Sequence, residues 1–205
     1  YLSEGVTTLY GDVMLLRSGV FSEADYFKTL NQLLDRHFNN PAISNLSVAD
    51  SSFDTWLDGY VAGVPNRKTS IYTEGALCTL MLDAKIREAT GHQKSFDDVM
   101  RIFHEKFYQK GKGISEADYL ATINRVCGKD VKDFVNDYIN GTKDYAPELK
   151  QSLAFLGLEY QSLPADTFCE AYLGFKVMDN NGALQVVSVY PGSIAELAGV
   201  GVSDE

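Results

Sequence analysis

A mainly α-helical chain that ends in a short β segment is the fold class this sequence predicts, and three observations carry it. Apolar residues recur at helical spacing from the first residues to about position 159. Three Ser-x-x-Asp starts, at Ser22, Ser95 and Ser115, open runs of that kind. Around Leu158 the pattern changes to short apolar runs separated by Asp179-Asn180-Asn181-Gly182, a hairpin signal.

Taken in order, Val6, Leu9, Tyr10, Val13, Leu16 and Val20 predict an amphipathic helix closed near Gly19. Glu4 lies on a different stripe, followed by Thr8, Gly11 and Leu15, whose small residues would admit a close backbone neighbour. After Ser22, a second helix carries Tyr26, Phe27, Leu30, Leu33, Leu34 and Phe38. Residues 39–52 turn polar and punctuated and predict a long loop. Phe53, Trp56, Leu57 and Tyr60 then suggest a short helix that buries the only tryptophan. A second loop follows over residues 63–70, with Pro65, Asn66, Arg67 and Lys68.

Leu77, Leu80, Met81, Ala84 and Ile86 mark the central core helix, from about Ile71 to Thr90. Two capped helices follow Ser95 and Ser115, separated by Gly111-Lys112-Gly113, and another spans residues 130–140. A last helical segment runs from Pro147 to Gly157, for seven or eight helices in all. Beyond it, Leu158-Glu159-Tyr160 reads as extended, with short strands at 175–178 and 184–189. Residues 191–199 read as a turn and a small capped helix. Two domains are therefore expected, at 1–158 and 159–205.

Composition narrows the function classes. At 205 residues, 45% of them hydrophobic and 22% charged, the chain can bury a real core. A formal charge of −10 argues against a nucleic-acid or anionic-membrane surface, because no cationic excess exists to neutralise phosphates. Cys78, Cys127 and Cys169 form neither a CxxC pair nor a disulfide framework and are expected to be free and mostly buried. That suits a reducing compartment and equally an envelope protein without disulfides. No run reaches the roughly 20 apolar residues of a membrane span, and no signal-peptide pattern is present. The start at Tyr1, within a motif, suggests a fragment, so the missing signal says nothing of the parent's location.

His37, His92 and His104 are the whole histidine supply. His104-Glu105 begins like HExxH, but Tyr108 stands where the second metal-binding imidazole must be, one helical turn on. No phosphate loop, GxSxG or Ser/His/Asp set stands out. The dense Phe and Tyr content sits mostly on apolar helix faces and reads as core. Read by itself, Glu4 is either a first-turn glutamate favoured by the helix dipole or one ligand of a site whose other half lies upstream.

A resemblance goes further. Ser3-Glu4-Gly5-Val6-Thr7, Leu15-Leu16-Arg17-Ser18-Gly19, Asp50-Ser51-Ser52-Phe53-Asp54-Thr55-Trp56 and Tyr72-Thr73-Glu74-Gly75-Ala76-Leu77 occur in the order and spacing of the glycyl aminopeptidase family, peptidase M61. Leu82-Asp83-Ala84-Lys85-Ile86-Arg87 and Ser95-Phe96-Asp97-Asp98-Val99-Met100-Arg101 extend it. Residues 1–158 resemble the C-terminal half of the catalytic domain, the helical subdomain of a thermolysin-like zinc peptidase. The remainder resembles the start of its PDZ domain.

The resemblance implies a gluzincin site. There, two histidines of HExxH and a downstream glutamate bind zinc, the motif's own glutamate is the general base, and a tyrosine stabilises the oxyanion. Glu4 matches the downstream zinc glutamate and Tyr72 the oxyanion tyrosine, while Glu74 stands where the family pattern has lysine. HExxH is missing, so the chain as cut is expected to bind no zinc and to be inert. Tyr172-Leu173-Gly174-Phe175 resembles the PDZ carboxylate loop, with Leu173, Gly174 and Phe175 as its peptide-binding backbone; a plain hairpin with a packing helix is the alternative. The groove-lining second helix would lie beyond Glu205, so this piece is not expected to bind peptide. Asp50 and Asn66, in the loops that flank Glu4 and Tyr72 in sequence, are candidate substrate contacts.

Two functions follow. The first is a zinc aminopeptidase removing small N-terminal residues, glycine or alanine, from peptides, a preference taken from the resemblance. The second is a degenerate, non-enzymatic peptidase module with a PDZ domain that binds peptides or proteins. No nucleic-acid partner and no membrane span is expected, and relatives suggest a periplasmic or cell-surface parent.

Overall fold

The structure, a computed structural model, describes residues 1–58 and 67–205. Tyr60 and Asn66, and with them residues 63–66 of the second expected loop, lie outside the described residues. The described residues divide into two compact units, the first made of residues 1–58 and 68–160, the second of Arg67 and residues 161–205.

The first unit is helical. It contains α1 (Leu2–Arg17), α2 (Glu23–Phe38), α3 (Val48–Asp58), α4 (Thr73–Ala89), α5 (Phe96–Lys106), α6 (Glu116–Cys127), the single turn α7 (Lys132–Phe134) and α8 (Ala146–Phe155). The three Ser-x-x-Asp starts close as reciprocal capping boxes, Ser22 with Asp25, Ser95 with Asp98 and Ser115 with Asp118. Each box satisfies backbone N–H groups that the first helical turn leaves without partners, worth about 1 kcal/mol apiece. Helix α4 is the expected central element. It is buried from Thr73 to Leu82 and again at Ala84 and Ile86, because, Glu74 apart, these residues are apolar or small on every face. Leu77, Met81, Leu82 and Ile86 on it pack with Val6 and Leu9 of α1, Leu30 and Leu33 of α2, Phe96 and Val99 of α5, and Ile123 of α6 in one core.

Three expectations need correction. Residues 39–52 are not one loop: a 3-10 turn spans Pro41–Ser44 and α3 begins at Val48. The polar residues that signalled a loop act as caps, the Asn40 side chain accepting from the Ala42 N–H at 3.1 Å and Ser47 Oγ from the Asp50 N–H at 3.0 Å. The tryptophan is not buried. Trp56 is 86% exposed, with Phe53 and Leu57 beside it, because α3 buries the opposite face through Val48, Ser51 and Thr55. Val20 lies past the end of α1 and is exposed. Residues 158–160 carry neither helix nor strand, and the Leu158 N–H returns to the Leu153 carbonyl at the end of α8.

The helix expected over 130–140 is one α turn followed by a wider π turn, Val135–Ile139. Chain return is tight there. A Cβ on Gly141 would lie 2.6 Å from the Asn136 carbonyl oxygen, so only glycine fits.

The second unit holds a π turn (Cys169–Leu173), strands β1 (Phe175–Asn180) and β2 (Ala183–Val189), and the short helix α9 (Ile194–Leu197). The strands pair antiparallel from Phe175 opposite Val189 to Asn180 opposite Ala183, with an irregularity between Lys176 and Val177. Asn181 and Gly182 both have positive φ, 58° and 89°, as a two-residue I′ hairpin requires. Val186, Val189 and Ala195 form a small core with Phe175, Val177 and Val200 around it. Ser193 caps α9 through the Glu196 N–H, as the sequence indicated.

Candidate functional site

The site is built where α1 and α4 cross in backbone contact. A Cβ on Gly5 would lie 2.4 Å from Cα and C of Gly75, and one on Gly75 would lie 2.7 Å from Gly5 Cα and 2.9 Å from the Tyr1 carbonyl oxygen. Two glycines therefore set the separation of these helices, and each directly follows an acidic residue, Glu4 or Glu74. The close approach falls on Gly5, not on the Thr8-Gly11 stripe, and Gly11 faces open space.

Glu4 occupies the first turn of α1, where a carboxylate is favoured by the helix dipole, and it is only partly exposed. Tyr72 is the residue immediately before α4, with helical backbone angles of −74° and −57°. It is 38% exposed, whereas the next two residues, Thr73 and Glu74, are buried. The crossing thus brings together the segments that carry Glu4 and Tyr72, which lie 68 positions apart in sequence.

Glu74 does not face out beside Tyr72. Its carboxylate turns inward and meets His37 Nδ1 at 2.6 Å, with both side chains buried, 0% and 3% exposed. The imidazole stacks on Tyr145, ring centroids 4.5 Å apart, and meets the edge of Phe38 at 4.6 Å. Tyr145 in turn donates to the Tyr138 carbonyl at 2.7 Å and lies 3.1 Å from Cys78 Sγ. Burial pushes the Cys78 thiol up to about 12; the Tyr145 hydrogen bond pulls the other way and Glu74 adds to the rise. Burial raises the Tyr145 phenol as well, with Cys78 and Glu74 contributing. Cys78 is therefore a thiol at neutral pH, not a nucleophile. All three cysteines are free, and Cys78 and Cys127 are buried.

The His37–Glu74 pair was not singled out from the sequence. Its signal was there: His37 follows Leu30 by seven residues and Leu33 by four, on the buried stripe of α2. Asp50 sits in the first turn of α3, its carboxylate accepting from the Ser47 hydroxyl at 2.6 Å. Asn66 lies outside the described residues. In the second unit Leu173 ends the π turn, Gly174 has φ 78° with its N–H donating to the Cys169 carbonyl, and Phe175 opens β1. The Gly174 carbonyl accepts from the Tyr190 N–H at 2.8 Å, and a Cβ at Gly174 would meet Ser193 Cβ at 2.3 Å.

Among the described residues, no group of three or more His, Cys, Asp or Glu side chains is placed to hold a metal ion. Glu4 offers one oxygen donor. No helix of the described residues is long and apolar enough to cross a membrane.

The helical unit carries Glu4 in the first turn of α1 and Tyr72 immediately before α4, on two helices in backbone contact at Gly5 and Gly75. Residues 1–78 match the family model of the M61 glycyl aminopeptidases, a span that contains both Glu4 and Tyr72. The chain thus carries a part similar to a peptidase of that family, as its motifs indicated. Comparison with curated proteins yields no match.

Proposed function

We propose that this chain supplies the C-terminal half of the catalytic domain of a zinc aminopeptidase that removes small N-terminal residues, glycine or alanine, from peptides. The observation that supports it is the family match over residues 1–78, which spans both Glu4 and Tyr72. The sequence contains no HExxH, so activity is proposed for a polypeptide that joins this chain to a segment bearing that motif. There Glu4 would serve as the third protein ligand beside the motif's two histidines, and zinc would supply Lewis-acid activation.

Tyr72 acts on the other side of the reaction. A phenol that emerges from a buried helix start can donate a hydrogen bond to the charge that develops on the attacked carbonyl oxygen. Such a donor helps the transition state more than the ground state, because the charge forms only on the way to the tetrahedral intermediate. Its buried neighbours Thr73 and Glu74 limit its freedom, so little reorganisation is needed when the substrate arrives. The PDZ-like reading of 159–205 assigns this segment to peptide capture when a complete domain is present, with Leu173, Gly174 and Phe175 as the carboxylate loop.

The test is steady-state kinetics of Tyr72→Phe on glycyl and alanyl substrates in the HExxH-bearing polypeptide. Loss of one oxyanion donor should lower kcat by about a hundredfold to a thousandfold with KM nearly unchanged. An unchanged kcat would remove Tyr72 from the mechanism.

A further inference from the structure

The buried contact between His37 and Glu74 is costly in a way that calls for an explanation. Each side chain is essentially inaccessible, and they meet at 2.6 Å, a short hydrogen bond. Yet among the described residues neither Glu74 Oε1 nor His37 Nε2, both buried, has a hydrogen-bond partner. Each residue's main polar compensation is therefore the other, and a hydrophobic pair of similar size would serve folding at least as well. Stability alone does not account for the pair.

Its location does. Glu74 is the second residue of α4, two positions after Tyr72, and His37 is the penultimate residue of α2. Gly75, the next residue, is pinned against Gly5 by backbone contact. The first turn of α4 is thus held from α1 on one side and from α2 on the other, and Tyr72 is the residue that emerges from it. The imidazole is itself fixed, stacked on Tyr145 and edge-on to Phe38, so it cannot swing to another partner. The contact also directs the Glu74 carboxylate into the interior, away from the exposed side on which Tyr72 stands.

We infer that His37 and Glu74 form a positioning pair that sets the direction of Tyr72 and keeps the Glu74 carboxyl group from its exposed side. The catalytic consequence rests on the peptidase role proposed for Tyr72; the structural consequence does not.

The two are tested separately. On the isotopically labelled chain, the Tyr72 ring resonances report its placement without turnover. His37→Asn carries its amide nitrogen the same number of bonds from Cα as Nδ1 and should leave those resonances in place. His37→Gln carries it one bond further and should shift them, as should Glu74→Gln. In the HExxH-bearing polypeptide, His37→Gln and Glu74→Gln should lower kcat on the order of a hundredfold with KM within about twofold, and His37→Asn should retain more of kcat than His37→Gln. Identical Tyr72 resonances and kcat in folded His37→Asn and His37→Gln would overturn the pair. Shifted resonances beside a fully active Tyr72→Phe would uphold the pair and overturn the peptidase role of Tyr72. If a single variant fails to fold, the paired His37→Phe/Glu74→Leu variant removes both polar groups together and should fold with displaced Tyr72 resonances. Unmoved resonances in that variant would also overturn the inference.

Discussion

A methyl group on Gly75 would meet Gly5 Cα at 2.7 Å and the Tyr1 carbonyl oxygen at 2.9 Å. Both are backbone atoms, so no rotamer change relieves the clash and α1 must move away from α4. Overpacking of this kind typically costs about 1–3 kcal/mol, and backbone-on-backbone contact puts Gly75→Ala at the upper end. Urea unfolding should show a loss of about 3 kcal/mol for Gly75→Ala. Gly11→Ala, with nothing within 4 Å, should instead gain up to about 1 kcal/mol from helix propensity. The two glycines were visible in Ser3-Glu4-Gly5 and Tyr72-Thr73-Glu74-Gly75, but their mutual contact was not. A glycine in sequence states only that a side chain is missing, and which backbone fills the space is a tertiary fact. His37 was hidden for the same reason, since a lone histidine on an apolar stripe does not name its partner.

At the scale of elements, α1 is tied to α5 through one carboxylate. Asp97, in the first turn of α5, accepts from the Tyr10 hydroxyl at 2.7 Å and pairs with Arg17 at 2.9 Å. Burial by itself would raise the Asp97 carboxyl, but the hydrogen bonds from Tyr10 and Arg17, with the charges of Arg17 and Arg87, outweigh it and hold the group below its usual 3.8. A depressed folded-state pKa means that the unfolded chain binds the proton first. The contribution to stability is therefore complete above the unfolded carboxylate range and is lost as pH falls through the folded value. Asp97→Asn should be less stable than the parent chain at pH 7, by roughly 0.5–1 kcal/mol for so exposed a pair. The gap should close as denaturation is repeated at pH values falling from about 5 to below the folded-state pKa. A gap independent of pH would remove the ionic account. Capping boxes were legible at this scale because their chemistry is local, Ser and Asp three residues apart. The direction of α3 was not. Phe53, Trp56 and Leu57 promised an apolar face, yet the helix buries Val48, Ser51 and Thr55, where the Ser51 hydroxyl donates to the Thr69 carbonyl at 2.6 Å.

At the scale of the whole molecule, the helical class, the central α4 and the hairpin of β1 and β2 followed from periodicity and turn chemistry, since period 3.6 and the Asn-Gly turn are properties of short windows. Family resemblance proposes Glu4 and Tyr72 as site residues, and the α1–α4 crossing brings their segments together despite their separation in sequence. What composition and pattern could not carry was the metal, because a ligand set is a convergence of side chains in space and this sequence contains no HExxH. Zinc binding as proposed therefore depends on Glu4. Zinc content per chain of the HExxH-bearing polypeptide, measured by elemental analysis after dialysis against a weak chelator, tests it most directly with Glu4→Gln beside the wild type. The account predicts about one zinc in the wild type and little in a folded Glu4→Gln, because the third protein ligand is lost. A folded Glu4→Gln that keeps full zinc and full aminopeptidase rate would contradict it.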